Sequence, residues 1–275
     1  MTLVLPRPIK KLLRAVANHD PEYYDMHDDP DELWFARLYL DRIGRRAEEA
    51  GIRPPAAVLE AGCQAGRLVV PLARLGFTVT GIDTSGFALR RAAAHVRSAG
   101  LRATFVRGDL LKVLHGSQRR YDMVVCAEVL YLSSNYRELL QALAGAVAPG
   151  GLLCVSHRPK MYYLLESLRH GDVESARRVL AGREGRFPRP LPERGYYNWQ
   201  TDAELRALYR ELGLEKIAVY PIDQTAWLSG IAPSQLAERA RQLWLDAELS
   251  LTSEESGPCA RYALVIASKG CADGR

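Results

Sequence analysis

The chain has 275 residues, of which 48% are hydrophobic and 25% are charged, a balance typical of water-soluble globular proteins. The formal net charge is +5, but the arginines are spread along the whole sequence, which argues against a dedicated nucleic-acid-binding patch. No apolar run approaches the roughly 20 residues of a membrane span. Five cysteines without metal-site spacing predict that no metal is bound and that the chain resides in a reducing cytoplasm.

The first part of the chain, residues 1–52, is predicted to be a helical arm. Apolar side chains recur at helical spacing over residues 8–18. An acidic loop containing tyrosines follows at residues 19–32. A second helix is predicted over residues 31–50 and ends at Gly51, because glycine is the preferred residue just after a helix.

Residues 53–157 alternate between short apolar runs and amphipathic helical segments. The apolar runs are nearly continuous, as expected of parallel strands that are covered on both faces. Repeated alternation of this kind predicts a doubly wound sheet. Strands are predicted at residues 56–61, 77–82, 103–106, 121–126 and 152–157, and helices at 65–75, 85–99 and 135–147, the last beginning with a capping pattern at Asn135 and Glu138.

The alternation stops after residue 157. Residues 158–200 are predicted to be an insertion, with a helical stretch near 160–181 and a loop rich in proline and arginine. Residues 201–275 return to the core, with helices at 201–212 and 233–249 and strands at 216–222 and 261–268. The helix at 233–249 suits a homodimer contact as well as it suits a core position. The predicted fold is an α/β, doubly wound, mostly parallel seven-stranded sheet with helical insertions after strands five and six.

The glycine-bearing turn after the first strand indicates a nucleoside site, because an acid, Asp83, ends the second strand. A dinucleotide fingerprint requires glycine at the third and sixth positions counted from Gly62. Those positions hold Gln64 and Arg67, whose side chains would obstruct a pyrophosphate. The sequence therefore argues against a nicotinamide dinucleotide.

A set of motifs in a fixed order resembles the class I S-adenosylmethionine (SAM)-dependent methyltransferases. The resemblance covers roughly residues 20–157 and the final strand pair. The motifs are YYD at 23–25, EAGCQAG at 60–66, GDL at 108–110, YDMVVCAEVL at 121–130 and PGGLL at 149–153. The family usually has glycine where this chain has Gln64, and many members have histidine where it has Leu132.

This resemblance implies SAM as the cofactor, beneath a lid formed by the N-terminal arm. It implies that Glu60 faces the methionine amino group, that Asp83 binds the ribose hydroxyls and that Asp109 binds the adenine amino group. The implied cofactor-binding residues are Tyr24, Glu60, Gly62, Cys63, Gln64, Gly66, Asp83, Thr84, Asp109, Leu110 and Ala127.

Methyl transfer is an in-line displacement, so the protein mainly has to align the reactants, and a base is needed only for a nucleophile that carries a proton. His157 and Glu128 are the predicted catalytic residues. The predicted acceptor is a small molecule held under the insertion. Its predicted binding residues are Tyr23, His27, Tyr131, Tyr163, Tyr197 and Trp199.

Two alternatives remain open at this point. The arginines of the insertion would suit an RNA acceptor, although no RNA-binding module is recognisable. Gln64 and Leu132 depart from the family pattern. They would suit a non-catalytic protein of this fold that binds SAM or serves as an interaction subunit.

Overall fold

The computed structural model describes residues 24–186, 196–251 and 259–270. The helix predicted at 8–18, the side chain of Tyr23 and most of the loop rich in proline and arginine lie outside these ranges. No helix of the described ranges is long and apolar enough to cross a membrane.

A seven-stranded sheet forms the centre of the molecule, and a separate two-stranded hairpin lies outside it. In chain order the strands are β1 (Ala57–Ala61), β2 (Thr78–Asp83), β3 (Thr104–Arg107), β4 (Tyr121–Cys126), β5 (Val147–His157), β6 (Glu184–Gly185), β7 (Tyr197–Asn198), β8 (Leu214–Ile222) and β9 (Tyr262–Lys269). Strands β6 and β7 form the hairpin, and the sheet has the strand order β3-β2-β1-β4-β5-β9-β8. The first five strands of this sheet in chain order are parallel, and β9 runs antiparallel to both of its neighbours. The predicted doubly wound, mostly parallel seven-stranded fold is thus confirmed.

Helices cover both faces of the sheet. Alternate side chains of each strand enter opposite apolar layers, so Met123 and Val125 face one layer while Val124 and Cys126 face the other. The helices are α1 (Pro30–Glu49), α2 (Val69–Arg74), α3 (Gly86–Ser98), α4 (Leu110–His115), α5 (Tyr136–Ala146), α6 (Lys160–Arg169), α7 (Val173–Ala181), α8 (Asp202–Glu211), α9 (Thr225–Ser229) and α10 (Glu238–Ser250).

Local chemistry explains where several helices begin. The Asp29 side chain accepts hydrogen bonds from the first backbone N–H groups of α1, and Pro30 opens that helix. The capping box predicted between Thr201 and Glu204 is present at the start of α8. The cap predicted at Asn135 is absent, because its side chain makes no hydrogen bond to the first turn of α5.

Several predicted boundaries differ from the structure, and two of the differences have a clear local cause. Strand β5 begins at Val147 rather than at residue 152, because the predicted turn is a bulge within the strand. Gly151 makes that bulge possible, since a Cβ there would lie 2.7 Å from the backbone oxygen of Asp122. The helical stretch near 160–181 is two helices, separated at Gly171, whose φ of +67° favours glycine. The predicted domain boundaries remain predictions.

Candidate functional site

A cavity of about 660 Å³ opens at the carboxyl ends of the parallel strands. It lies where the chain order reverses, between β1 and β4, which is where doubly wound folds bind their ligands. One half is lined by the loops that follow β1, β2 and β3. The other half is lined by tyrosines from the segments that follow β4 and β5.

The glycine-bearing loop after β1 is shaped by close contacts. Gly62 has φ of +81°, and a Cβ at this position would lie 2.4 Å from the side chain of Val129. Gln64, which replaces the usual glycine, also has positive φ, at +43°. Its backbone N–H donates to Asp83 at 3.0 Å, which fixes the loop against the end of β2. Gly66 supports the loop from behind, where a Cβ would approach Ala92 of α3 to 3.1 Å.

The side chain of Gln64 does not obstruct the loop. Its Nε2 donates to the backbone oxygen of Tyr24 at 3.4 Å, and its Oε1 accepts from the backbone N–H of Ala65 at 3.3 Å. Gln64 therefore connects the segment before α1 to the loop after β1.

Glu60 supplies a buried carboxylate beside this loop. It is 4% exposed, and its Oε2 has no hydrogen-bond partner within the described ranges. Burial raises the pKa of Glu60 to about 8, although Arg67 and the backbone N–H groups of Leu68 and Val69 favour the ionised form. A cationic group arriving in the cavity would satisfy this oxygen and stabilise its charge.

Two further carboxylates line the same half of the cavity. The oxygens of Asp83 accept from the backbone N–H groups of Gln64 at 3.0 Å and of Ser85 at 2.8 Å. Asp109 caps α4 by accepting from the backbone N–H of Lys112 at 3.1 Å. The loops thus fix both acids as hydrogen-bond acceptors at the ends of neighbouring strands, an arrangement that suits the hydroxyl and amino groups of a nucleoside.

An ion network that the sequence reasoning missed crosses the floor of the cavity. Arg67 is 5% exposed and pairs with Glu32 of α1 and, at 2.7 Å, with Glu128 after β4. Tyr262 of β9 donates to the second oxygen of Glu128 at 3.0 Å. Glu128 has φ of +61°, a left-handed conformation that its backbone hydrogen bond to the Ser156 hydroxyl helps to hold.

The second half of the cavity contains a cation among tyrosines. Arg158, the first residue after β5, places its guanidinium carbon 4.0 Å from the ring centres of Tyr162 and Tyr262 and 4.8 Å from that of Tyr131. Sequence reasoning did not select Arg158. The sequence did offer one indication of its role, because Arg158 is a positively charged residue directly after a strand whose carboxyl end faces the cavity.

The structure corrects the prediction that His157 faces the site. His157 is fully buried, bonds to the Tyr209 hydroxyl at 2.9 Å, and is not among the described residues that line the cavity. Burial lowers its pKa to about 3, so the ring stays neutral at physiological pH. The last residue of β5 points away from the cavity, and the next residue, Arg158, points into it, because successive side chains of a strand alternate.

Two predicted acceptor-binding residues are also placed elsewhere. Trp199 is fully buried within the insertion and donates from its ring N–H to backbone oxygens of Val179 and Gly182. His27 stacks on His95 with ring centres 4.1 Å apart, outside the described cavity lining. Both are therefore packing residues, and Tyr23 lies outside the described ranges.

Most of the other predicted site residues do meet at the cavity. Lining the same cavity does not by itself establish a chemical role, so the role of each of these residues stays a prediction. The predicted residues that line the cavity are Tyr24, Glu60, Gly62, Cys63, Gln64, Asp83, Thr84, Asp109, Leu110, Ala127, Glu128, Tyr131, Tyr163 and Tyr197.

Several arginines of the insertion are engaged with acids. Arg178 lies 3.4 Å from Glu174, and Arg183 pairs with Glu204. These pairs reduce the positive charge that the RNA alternative depends on.

The comparisons with known proteins agree with this fold. Residues 58–151 match a family model described as a methyltransferase domain. The ubiquinone biosynthesis O-methyltransferase of Caulobacter sp. (strain K31) is 36% identical over 125 residues, which cover 46% of this chain and 48% of that protein. The enzyme of the same name from Escherichia coli O6:H1 is 32% identical over 137 residues, covering 50% and 55%. The chain thus spans about half the length of these curated relatives.

Solved structures match over a larger share of the chain. The magnesium protoporphyrin IX methyltransferase from Synechocystis PCC 6803, crystallised with SAH, matches with a TM-score of 0.55 and 17% identity, over 96% of this chain and 99% of that one. A SAM-dependent methyltransferase from Archaeoglobus fulgidus matches with a TM-score of 0.54 and 14% identity, over 88% and 96%. At these identities the likeness shows the fold.

Proposed function

From the class I methyltransferase fold and the methyltransferase domain matched at residues 58–151, we propose that this chain binds SAM and methylates a small molecule. The proposed acceptor atom is oxygen, which is supported by the names of the curated relatives as O-methyltransferases. When bound, SAM supplies a methyl group on a positively charged sulfur.

The observation that carries the proposal is the unpartnered carboxylate oxygen of Glu60 beside the glycine-bearing loop. SAM has an amino-acid end with an ammonium group and a nucleoside end with hydroxyl and amino groups. Glu60 would pair with the ammonium group, Asp83 would accept from the ribose hydroxyls, and Asp109 would accept from the adenine amino group. The donor and acceptor types present in this half of the cavity fit those three demands.

The protein's own part in the reaction is mainly alignment. Arg67, Glu128 and Tyr262 form a hydrogen-bonded floor between the two halves of the cavity and fix their relative positions. Glu128 is the remaining candidate base from the sequence prediction, but its two oxygens are already engaged with Arg67 and Tyr262. We therefore propose that Glu128 orients the reactants. Holding them in line would supply most of the rate enhancement, because good orientation lowers the activation barrier by about 7–11 kcal/mol in well-oriented systems.

Titration calorimetry with SAM and S-adenosylhomocysteine (SAH) tests the proposal. We expect both to bind the purified protein, and we expect Asp83→Asn to weaken both by at least tenfold, because the amide offers one acceptor oxygen in place of two. Asp246→Asn is the matched control, since Asp246 is exposed on α10. Failure of both compounds to bind the unaltered protein would remove the proposal.

We also propose a location for the protein in the cell. A cytoplasmic location is supported by the free thiols of Cys63, Cys126 and Cys154. The homodimer contact through residues 233–249 and the RNA acceptor stay predictions without a supporting observation of their own.

A further inference from the structure

We propose that the acceptor is a planar organic acid whose carboxylate binds Arg158. This proposal rests on the proposed function and specifies the chemical class of the acceptor that the tyrosine-lined half of the cavity takes. Three features of the described residues carry it: the position of the Arg158 charge, the lack of an ion-paired carboxylate beside it, and the aromatic rings that line this half of the cavity.

The charge of Arg158 is held inside the cavity wall rather than in open solvent. Its Nη1 donates to the backbone oxygen of Arg261 at 2.9 Å, and its Nη2 donates to the Tyr262 hydroxyl at 3.2 Å. The rings of Tyr162 and Tyr262 lie 4.0 Å from its guanidinium carbon. These contacts orient the guanidinium without neutralising it.

No carboxylate pairs with Arg158 within the described ranges. The neighbouring arginines differ in this respect, because Arg67 pairs with Glu32 and Glu128, while Arg261 pairs with Asp223 at 2.8 Å. The Nε of Arg158 is buried and has no hydrogen-bond partner in the same ranges. A buried charge without a counter-ion is unfavourable, and a planar carboxylate is the anion whose geometry best matches a guanidinium.

The tyrosines around Arg158 do not supply the missing negative charge. Burial raises the pKa values of Tyr131, Tyr163 and Tyr262 above the ordinary range, so their hydroxyls remain protonated at physiological pH. Asp223 is the acid that Arg158 influences electrostatically, but it is already paired with Arg261. A carboxylate on the bound molecule would supply a direct counter-ion.

The aromatic lining of this half of the cavity suits a ligand with a planar, conjugated body. Tyr131, Tyr162, Tyr163 and Tyr197 line it, together with the apolar side chains of Leu132 and Leu139. The ring centres of Tyr162 and Tyr163 are 5.2 Å apart, and those of Tyr163 and Tyr197 are 5.5 Å apart. A conjugated or aromatic body would contact these rings while its carboxylate reached Arg158.

The test compares 2-naphthoate with its neutral amide, 2-naphthamide, which has the same shape without the charge. Binding is measured by calorimetry or ligand-observed NMR on the full chain saturated with SAH. We expect the unaltered protein to bind 2-naphthoate at least tenfold more tightly than 2-naphthamide. Equal binding of the two, or no binding of 2-naphthoate to SAH-saturated protein, would overturn the proposal.

Variants then assign the preference to a residue. We expect Arg158→Gln to reduce the preference for the acid to less than twofold, and Arg158→Lys to retain part of it, because lysine keeps the charge but lacks the planar fork. Arg97→Gln, at an exposed position on α3, is the matched control and should leave the preference unchanged. A preference that persists in a folded Arg158→Gln variant would overturn the proposal.

Retained SAH binding and an unchanged melting temperature show whether Arg158→Gln is folded. If that variant does not fold, the comparison of the two probes on the unaltered protein and on Arg158→Lys still decides the outcome. A failure of the proposed function is distinguishable from a failure of this proposal. The proposed function requires the unaltered protein to bind SAH, and this is measured before either naphthalene compound is added.

Discussion

The carboxyl group of Glu60 couples the stability of the fold to pH through one proton. Its pKa is about 8 in the folded chain and 4.5 for the ordinary group. The folded state therefore binds more protons than the unfolded state between these pH values. The free energy of unfolding should fall as the pH rises from 4.5 to 8, with a slope of at most about 1.4 kcal/mol per pH unit.

We predict that Glu60→Gln removes this pH-dependent loss, because the amide has no proton to release. Thermal unfolding of both proteins at pH 5, 6, 7 and 8 measures the difference. His157 and Asp223, whose pKa values are shifted to about 3 and about 7, titrate identically in both proteins and cancel in the comparison. Parallel stability profiles for the two proteins would contradict the prediction.

At this scale the sequence predicts residues that belong to short motifs. Glu60, Asp83 and Asp109 all line the cavity, because each lies at or just after the carboxyl end of a strand whose position the apolar pattern locates. Arg67 was missed, because its partners Glu32 and Glu128 are more than 30 residues away in the sequence. Arg158 was missed although its position directly after β5 was a local signal. His157 was misplaced by one position, since a pattern of apolar residues does not fix which of two adjacent side chains faces a cavity at the end of a buried strand.

Among the elements, α1 and the loops after β1 and β4 are connected by Arg67. Its guanidinium lies between Glu32 and Glu128, and all three side chains are at most 13% exposed. We predict that Arg67→Met lowers the free energy of unfolding by about 3–5 kcal/mol, because two buried acids lose their shared cation. Chemical denaturation measures this loss.

Arg45→Met provides the comparison, since Arg45 pairs with Asp41 on the solvent side of the same helix α1 and its side chain is 62% exposed. That change should alter stability by no more than about 0.5 kcal/mol. Changing Arg67, Glu32 and Glu128 together to uncharged residues should recover part of the lost stability, because no buried charge is then left without a partner. If stability is not recovered, Arg67 acts through packing alone.

The sequence predicts element types better than element limits. The strands of the parallel sheet are recognisable because burial on both faces leaves long apolar runs. Helix α2 begins at Val69, four residues after its predicted start, because the preceding residues form the turn around the cavity. Helix α4 was not predicted, since six residues are too few to show helical periodicity.

Across the whole molecule, α1 joins the N-terminal part of the chain to its C-terminal part. Arg42, which is 6% exposed, donates from Nη2 to the backbone oxygens of Glu248 and Leu251 at the end of α10. Such contacts between distant segments are set by the completed fold, and no local pattern in the sequence predicts them.

We predict that Arg42→Met lowers the free energy of unfolding by about 1.5–3 kcal/mol, because two buried carbonyl groups lose a charged donor. Hydrogen exchange should show faster opening at the end of α10. Arg37→Met, at an exposed position on the same helix, should leave both measurements nearly unchanged. Equal effects of the two changes would show that the loss comes from the helix and not from the contact.

Strand β9 follows every other described strand in the sequence, yet it lies inside the sheet between β5 and β8. Its first residue, Tyr262, donates to Glu128 and accepts from Arg158. During synthesis, β5 therefore keeps an open edge until the final strand leaves the ribosome, and an open edge invites pairing with other chains. A nascent chain that stops before residue 262 has every motif of the cofactor half, but it can neither close its sheet nor assemble the cavity floor.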